Sequence, residues 1–550
     1  MFLLLTILWC IWEVKYVLFW LYLWQLKEYH IGRFLDHFDT HKGKRLVFSF
    51  EQIFKFVILV FLIFVPSNLQ AFLISVAILI YLAESIFFVK ALATKSFKRP
   101  VFTFKTSFLT FVCLLAFLLL AILIYPIDSV TGVQSLLMID LLTIFMVSFM
   151  MLLFQPFFVG WRNTILAKAK AKLEKIKKLN NITVIVITGS YGKTSTKEFL
   201  ATILSQKYNV LKTKEHQNSE IGIANCILKE LSAEGGPVSG GKPYKFFIAE
   251  VGAYNRGKVD EVCSIIKPKI GIVTGVNEQH LSLFGSMKNL LSAEGGEELA
   301  NSLPKDGLLI VNGNNKYCLS LHRKIKTPKD ENRRIYCQDN KEVDADVWAE
   351  NIEVSKNGVS FVVITKDHQM AHFDVNVLGT HNIQNLLGAI LTAKELGMSI
   401  EEIANACKKI QQEQAGMVLS RGKHGIEIID SSYSANPDGV LADLDYLSVF
   451  PKKKIVVMPC LIELGKKSAE IHKNIGKKIA EVCDLAIITS KDRFNDIKKG
   501  AVEAGMNEKD ILLCDKPEEI YSIITLFCKS GDAVLLEGRV PIQLTKIITE

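Results

Sequence analysis

The chain has 550 residues, 49% of them hydrophobic and 22% charged, with a formal net charge of +9. That length predicts three or four domains at roughly 100–200 residues each, and the apolar share excludes disorder, collagen and coiled coil as overall descriptions. The charge splits into about +4 before residue 161 and about +5 after it, too little to signal a nucleic-acid partner. The 11 cysteines form no C-x-x-C pair and read as free thiols rather than a zinc site or disulfide frame.

Residues 1–160 hold about 20 of the charged residues and 161–550 the remaining ~101. This predicts an α-helical membrane domain, 1–160, followed by soluble α/β domains. Apolar stretches at about 2–24, 52–65, 70–89, 107–125 and 135–159 give five spans near the ~20 residues a bilayer requires. The second is short and recruits Phe48, Phe50 and a snorkelling Lys55. The first lacks the basic start and small-residue cleavage site of a signal peptide. Lys27, Arg33, Lys42, Lys44 and Arg45 lie in one loop, and Lys90, Lys95, Lys98, Arg99 and Lys105 in another, while 66–70 and 126–134 carry no Lys or Arg. Positive loops stay in the cytoplasm. The N-terminus is therefore expected outside a bacterial inner membrane and the soluble half in the cytoplasm. Glu13, Lys15, Glu84 and Asp140 fall in or near spans and read as structural or interfacial, with Glu13 pairing Lys15 and Asp140 near the outer interface. Residues 161–181 read as a basic juxtamembrane helix, its Lys168, Lys170, Lys172, Lys175, Lys177 and Lys178 either on anionic lipid headgroups or solvated.

From 182 on, short β-branched runs alternate with helical patterns, which implies parallel sheets. Strands are expected at Val184–Thr188, Asn209–Thr213, Phe246–Val251, Ile270–Val276 and Leu308–Val311. A small β insertion with an Asn357-Gly358 turn is expected over 346–377, then helices at 382–397 and 400–411. A second series, Ile426–Ile429, Lys454–Met458, Leu485–Thr489, Ile511–Cys514 and Ala533–Leu536, predicts a C-terminal doubly wound, Rossmann-like domain. The boundaries are 182–415 for a P-loop-type ATPase domain and 416–550 for the last. The glycine-rich Ser232–Pro243 reads as a surface loop without chemistry.

The strongest motif is Thr188-Gly189-Ser190-Tyr191-Gly192-Lys193-Thr194-Ser195. It follows a strand and opens a helix, so glycine-freed N–H groups and the helix N-terminus face phosphate oxygens. Lys193 would neutralise the terminal phosphates and Thr194 would hold Mg²⁺, the cofactors being ATP and Mg²⁺. Glu250, ending a buried strand, stands where a second metal carboxylate belongs beside such a loop. His280 follows the next strand; a lone histidine is more often structural than a ligand.

With these residues the chain from about 182 to 550 resembles the Mur ligases. Thr188–Ser195 is similar to the family's T-G-x-x-G-K-T-[ST], and Asn218 with Ile221-Gly222 to N-x-x-x-G. Glu250-Val251-Gly252 with Gly257 resembles E-x-G…G. Asn277–His280 with Phe284-Gly285-Ser286 resembles N-x-x-H-x-x-x-F-G-S, and Gly379–Asn382 with Asn385 resembles G-x-H-N-x-x-N. Arg421 and Asp430–Pro437 resemble R…D-D-S-Y-N-A-N-P. Glu463-Leu464-Gly465, Ser468, His472 and Gly476 resemble E-L-G-x-x-S-x-x-x-H-x-x-x-G. The resemblance implies an ATP-dependent ligase that joins a carboxylate to an amine through an acyl phosphate. It implies a muramyl-peptide acceptor, UDP- or lipid-linked, and an amino acid or dipeptide, most closely D-Ala-D-Ala. Lys193, Glu250, His280 and Arg421 would be catalytic. Thr194, Glu250 and His280 would hold metal. Asn277, Asn382, Asn385, Arg421 and Asp430 would join the loop in binding ATP, and Asn436, Glu463 and Gly465 would face substrate.

The chain departs from the family in four places. Where a carbamylated lysine is usual, the stretch is Ala293-Glu294-Gly295-Gly296-Glu297-Glu298, so Glu294 or Glu297 would supply that charge, or the second metal site is changed. The family's ribose-binding Asp aligns with Ser431, which leaves Asp430 as the substitute. The late K-G-S reads Glu537-Gly538-Arg539, a charge reversal that bears on the amine. Five spans precede Asn181 where relatives carry a UDP-binding domain, which points either to a membrane-linked acceptor or to a simple tether. The competing readings are a Mur-type ligase with another carboxylate and amine, an ATP-driven transporter, for which no signature is visible, and a non-catalytic scaffold.

Overall fold

The computed structural model describes residues 1–549 except 28, 48, 95, 96, 126, 128, 216, 236–241, 279, 340–342, 433 and 434. Phe48, Lys95, Gln279, Tyr433, Ser434 and the middle of the glycine-rich loop lie outside the described residues. The chain divides into two compact units, Met1–Asn163 and Thr164–Glu550, and the division falls inside the helix Gln155–Asn180.

In the first unit five helices are long and apolar enough to cross a membrane: Phe2–Leu26, Gly43–Phe64, Leu69–Ala93, Phe104–Ile124 and Ser129–Leu153. Their outward faces carry large apolar side chains such as Phe64, Phe72, Phe111 and Phe145, all exposed. Polar groups turn inward. Lys55 does not snorkel: it is fully buried, with its ammonium 2.6 Å from Asp140 and 2.8 Å from Glu84. Asp140 also accepts from Trp12 Nε1 at 3.0 Å and Tyr81 Oη at 2.8 Å, so it lies at the bundle's centre rather than at an interface. Glu13 accepts from Thr143 at 3.0 Å, and Lys15 instead lies over the Trp12 ring at 4.0 Å. Two carboxylates thus share one buried lysine, each on a different helix from it. Removing one partner of such a pair leaves an uncompensated buried charge.

The second unit holds two sheets. The larger has nine strands in the order β2-β3-β1-β4-β5-β6-β7-β8-β9, where β1 is Thr183–Thr188, β2 Val210–Lys212, β3 Phe246–Glu250, β4 Ile270–Val273, β5 Leu308–Asn312, β6 Arg333–Cys337, β7 Val347–Val354, β8 Val359–Thr365 and β9 Met370–Val375. Through the β6–β7 pair the strands run parallel, and β7–β9 form an antiparallel meander. The expected β insertion is therefore the outer edge of the central sheet. β6 escapes a hydropathy reading because it opens on Arg-Arg; Arg333 is nonetheless buried, its guanidinium bonded to the Pro328 and His322 carbonyls at 2.9 and 3.0 Å. One face of the sheet packs on the helices Lys193–Leu204, His381–Glu395 and Ile400–Cys407.

The other face includes Leu166, Ala169, Leu173 and Ile176, a stripe at helical spacing on Gln155–Asn180. Lys172 and Lys177 of that helix donate to the Leu228 and Ile266 carbonyls at 2.7 and 2.8 Å, near the C-terminal ends of the helices Glu220–Glu230 and Lys258–Ile266, so these two of its six lysines are tied into the second unit. The smaller sheet has six strands in the order β10-β11-β15-β12-β13-β14, namely β10 Val418–Arg421, β11 Glu427–Ser431, β12 Lys454–Met458, β13 Leu485–Ile488, β14 Ile511–Leu513 and β15 Ala533–Glu537. All pairs are parallel except β10–β11.

Lys55→Met is expected to destabilise the first unit by about 3–5 kcal/mol, the cost of stranding buried carboxylates. Thermal unfolding of the detergent-solubilised protein measures it; a midpoint equal to the parent's would show that the pair carries no stability.

Candidate active site

The site forms where β1 and β3 end side by side. Ile187 pairs in register with Glu250, so the loop after β1 opens beside that carboxylate. Gly189 and Gly192 have φ of 141° and 75°, backbone that L side chains rarely adopt. A Cβ on Gly192 would press on Asn385 Oδ1, so a side chain there would have to displace that amide. The loop is tied down by Ser190 N–H donating to Gly275 O at 2.7 Å and by Thr274 Oγ1 donating to Tyr191 O. The Tyr191 hydroxyl accepts from Asn315 Nδ2 at 3.2 Å, and burial pushes its acidity down. Lys193 Nζ donates to Gly189 O at 2.6 Å, which leaves the ammonium at the loop, on the N-terminus of Lys193–Leu204. Thr194 Oγ1 donates to Glu250 Oε1 at 3.0 Å. Ser195 Oγ reaches instead to Ala415 O at 3.3 Å. Thr188 is buried, its hydroxyl on Val251 O at 3.3 Å.

The second cluster centres on His280, whose φ of 66° is unusual for a residue with a side chain. His280 Nδ1 lies 3.0 Å from Glu294 Oε1, and Glu294 Oε2 accepts from Ser190 Oγ at 2.8 Å. Glu294 is 1% exposed, whereas Glu297 is exposed. Glu298 caps the helix Lys258–Ile266 by accepting from the N–H groups of Gly257, Val259 and Asp260 at 2.8–3.2 Å. Of the acidic residues in this stretch, only Glu294 reaches the loop.

The smaller-sheet domain closes over this edge. His280 Nε2 lies 3.7 Å from Glu463, which itself holds a φ of 67°. Asn277 Nδ2 donates to Asn436 Oδ1 at 3.2 Å and Asp438 Oδ2 at 2.9 Å. Glu278 meets Lys467 at 2.8 Å, and that partner draws its carboxyl below the usual range. Gly465, at φ 57°, opens the turn that carries Lys467. His472, fully buried, supports the Glu463 loop by accepting from Leu461 N–H at 2.9 Å; burial lowers its basicity and keeps it a neutral acceptor.

Other expected residues stand apart from the loop. Asn382 spends its amide on Leu378 O at 2.8 Å and receives Asn385 Nδ2 at 3.1 Å, so Asn385 alone of the pair abuts the glycines. Arg421 is exposed at the end of β10, with Nη2 3.4 Å from the position of a Cβ built on Gly425. Asp430 accepts from Ser432 N–H at 2.9 Å. Ser431 and Glu537 are register partners on β11 and β15, and Ser431 Oγ donates to Asp443 at 2.5 Å.

The sequence reading missed Lys197. It is fully buried, 3.2 Å from Glu250 Oε2. Among the described residues no group of three or more His, Cys, Asp and Glu is placed to hold a metal ion. The oxygen donors of Thr194 and Glu250 nonetheless suit Mg²⁺, which is bound by one or two carboxylates together with substrate phosphates rather than by a protein cage.

Comparisons with known proteins cover both sheets. Residues 187–393 match the Mur ligase middle domain and 417–540 the Mur ligase, glutamate ligase domain. The UDP-N-acetylmuramoyl-tripeptide--D-alanyl-D-alanine ligase of Escherichia coli K12 is 28% identical over 54% of this chain and 61% of its own length. The Synechocystis protein of the same name is 27% identical over 67% and 74%. The E. coli match thus spans about three fifths of that relative. MurF from Acinetobacter baumannii superposes with a TM-score of 0.58 at 23% identity, covering 69% of this chain and 77% of that one. MurF from Thermotoga maritima, solved in complex with ADP, gives 0.57 at 20%, covering 70% and 82%. At these identities the superpositions speak for the fold. Two family domains in order over most of the second unit decide the assignment: the chain belongs to the Mur ligase family.

Proposed function

We propose that this protein is a membrane-anchored, ATP-dependent amide ligase that adds D-Ala-D-Ala to the terminal carboxylate of a muramyl tripeptide in peptidoglycan precursor synthesis. The observation that carries it is the glycine-rich loop with Lys193 at its tip and Thr194 bonded to Glu250, beneath a second domain that meets it at His280. The acceptor carboxylate attacks the γ-phosphorus of ATP and ADP leaves, giving an acyl phosphate. The amine then adds to the acyl carbon and phosphate departs. Both steps bring anions together, so the work of the protein is charge neutralisation and alignment. Lys193 and the loop N–H groups hold the terminal phosphates. Thr194 and Glu250 would hold Mg²⁺, which supplies charge neutralisation on the phosphate oxygens when bound. Glu294 and His280 extend that acidic edge toward the acceptor. Asn385 faces the nucleotide from the helix His381–Glu395, and Arg421 reaches the γ-phosphate on further closure, where a planar fork suits phosphate oxygens. Asn277, Asn436, Glu463 and Gly465 line the seam between the domains and close it against water.

The five apolar helices support insertion in the bacterial plasma membrane, with the N-terminus outside and the ligase domains in the cytoplasm, as the loop lysines and arginines suggest. Their place directly before the middle domain also favours a second reading of the substrate, a lipid-linked muramyl peptide rather than a UDP-linked one.

Lys193→Ala is expected to lower phosphate release, measured with acceptor and D-Ala-D-Ala present, by about a hundredfold or more; parental turnover would refute the ligase assignment. Glu294→Gln should cost at least about tenfold, while Glu297→Gln, altering an exposed group, stays within about twofold; equal effects would remove Glu294 from the site. In detergent, a several-fold preference in kcat/KM for lipid-linked over UDP-linked acceptor is expected if the spans present substrate, and equal values would reduce them to a tether.

A further inference from the structure

Lys197 lies one turn beyond Thr194 on the helix Lys193–Leu204 and is fully buried. Lysine is among the residues least often buried unless paired, and an ammonium taken from water carries a large desolvation penalty before its partners are counted. Methionine fills a similar volume at no such cost, so packing does not explain the residue. Its partners do. The Lys197 ammonium lies 3.2 Å from Glu250 Oε2 and 3.3 Å from Glu198 Oε1. Glu198 has a second cation in Lys212. For Glu250, Lys197 is the one cationic partner among the described residues, and Thr194 Oγ1 takes its other oxygen at 3.0 Å. The backbone of Glu250 is held as well, its N–H donating to Thr213 Oγ1 at 3.1 Å. The carboxylate is therefore clamped from both sides, with one oxygen turned into the core and one turned to the phosphate loop.

We propose that Lys197 is a positioning residue that sets Glu250 for the Mg²⁺ of bound nucleotide. By holding Oε2 in the core it allows Oε1 alone to face the Thr194 hydroxyl. The role rests on the ATP-ligase reading, and it concerns the cation's share of nucleotide binding rather than the grip of the loop itself.

Isothermal titration of the full-length protein in detergent with ADP, once with Mg²⁺ and once with EDTA, separates the two. In EDTA, the parent and Lys197→Met are expected to bind ADP within about twofold of each other, because Lys193 and the loop N–H groups are unchanged. Mg²⁺ is expected to tighten ADP binding to the parent, and Lys197→Met to lose about 10–100-fold of that gain, the usual cost of removing a group that orients a metal ligand. Lys197→Arg, which keeps the charge, should recover most of it. Lys197→Gln, which still donates one hydrogen bond to Glu250, serves if the methionine variant does not fold, and should keep EDTA binding while losing the Mg²⁺ gain. A full Mg²⁺ gain in the Met or Gln variant overturns the proposal, as does equal loss of binding in EDTA, which would mark Lys197 as structural only. A parent that binds no ADP in either buffer overturns the ligase reading and this role with it.

Discussion

The site depends on one parallel pairing. β1 delivers the glycine-rich loop and β3 delivers Glu250, and the register that sets Ile187 opposite Glu250 brings the loop's Thr194 hydroxyl within 3.0 Å of the carboxylate. A slip of one residue would turn Glu250 to the opposite face of the sheet. Five consecutive buried residues in each strand oppose such a slip, because every alternative register exposes or strands part of an apolar run. Hydrophobic burial thus fixes an electrostatic contact it takes no part in. Lys197 acts on the same carboxylate from within the core, so the hydroxyl, the carboxylate and the ammonium form one rigid unit at the mouth of the loop.

The seam between the two sheet domains is of another kind. His280 and Glu463 face each other at 3.7 Å, and both hold left-handed backbone although neither is glycine. Such conformations cost of order 1–3 kcal/mol each and persist where surrounding structure over-determines them. For Glu463 that support includes His472, whose neutral ring accepts from Leu461 N–H. For His280 it includes Glu294, bonded in turn to Ser190 of the loop. The Asn277–Asp438 and Glu278–Lys467 contacts flank the pair. A displacement of one domain would therefore be felt at the phosphate loop through the chain Glu463, His280, Glu294 and Ser190.

Much of this was legible in the sequence, and what was not has physical reasons. The loop announces itself because only glycine suits the two positive φ positions and because Lys-Thr opens the helix. The parallel strands announce themselves as β-branched runs buried on both faces. Lys197 does not, since a lysine on an amphipathic helix reads as solvated until the neighbouring strand end is known. Glu294 and Glu297 are indistinguishable by spacing; the choice rests on which one points at Ser190. Lys55 reads as snorkelling because its partners are scattered: Glu84 and Asp140 belong to other helices, and the sequence does not state which helices adjoin. The β7–β9 meander looked like an insertion because its alternating pattern differs from the parallel runs, although hydrogen bonding from β6 carries the sheet straight through it.

Sheet order also changes the meaning of two departures from the family pattern. Ser431, aligned with the family's ribose-binding aspartate, and Glu537, aligned with its late lysine, are far apart in the chain. Because β15 inserts between β11 and β12, they are register partners on adjacent strands. The two departures therefore meet at one place in the fold. Glu537 is 1% exposed, and burial together with the nearby Asp443 raises its carboxyl well above the usual range. Asp443 in turn accepts from Ser431 and lies 3.9 Å from His381 Nδ1 of the middle domain. What looked in the sequence like a charge reversal, lysine to glutamate, thus removes a positive charge and sets in its place a buried carboxyl that its surroundings hold toward the neutral form.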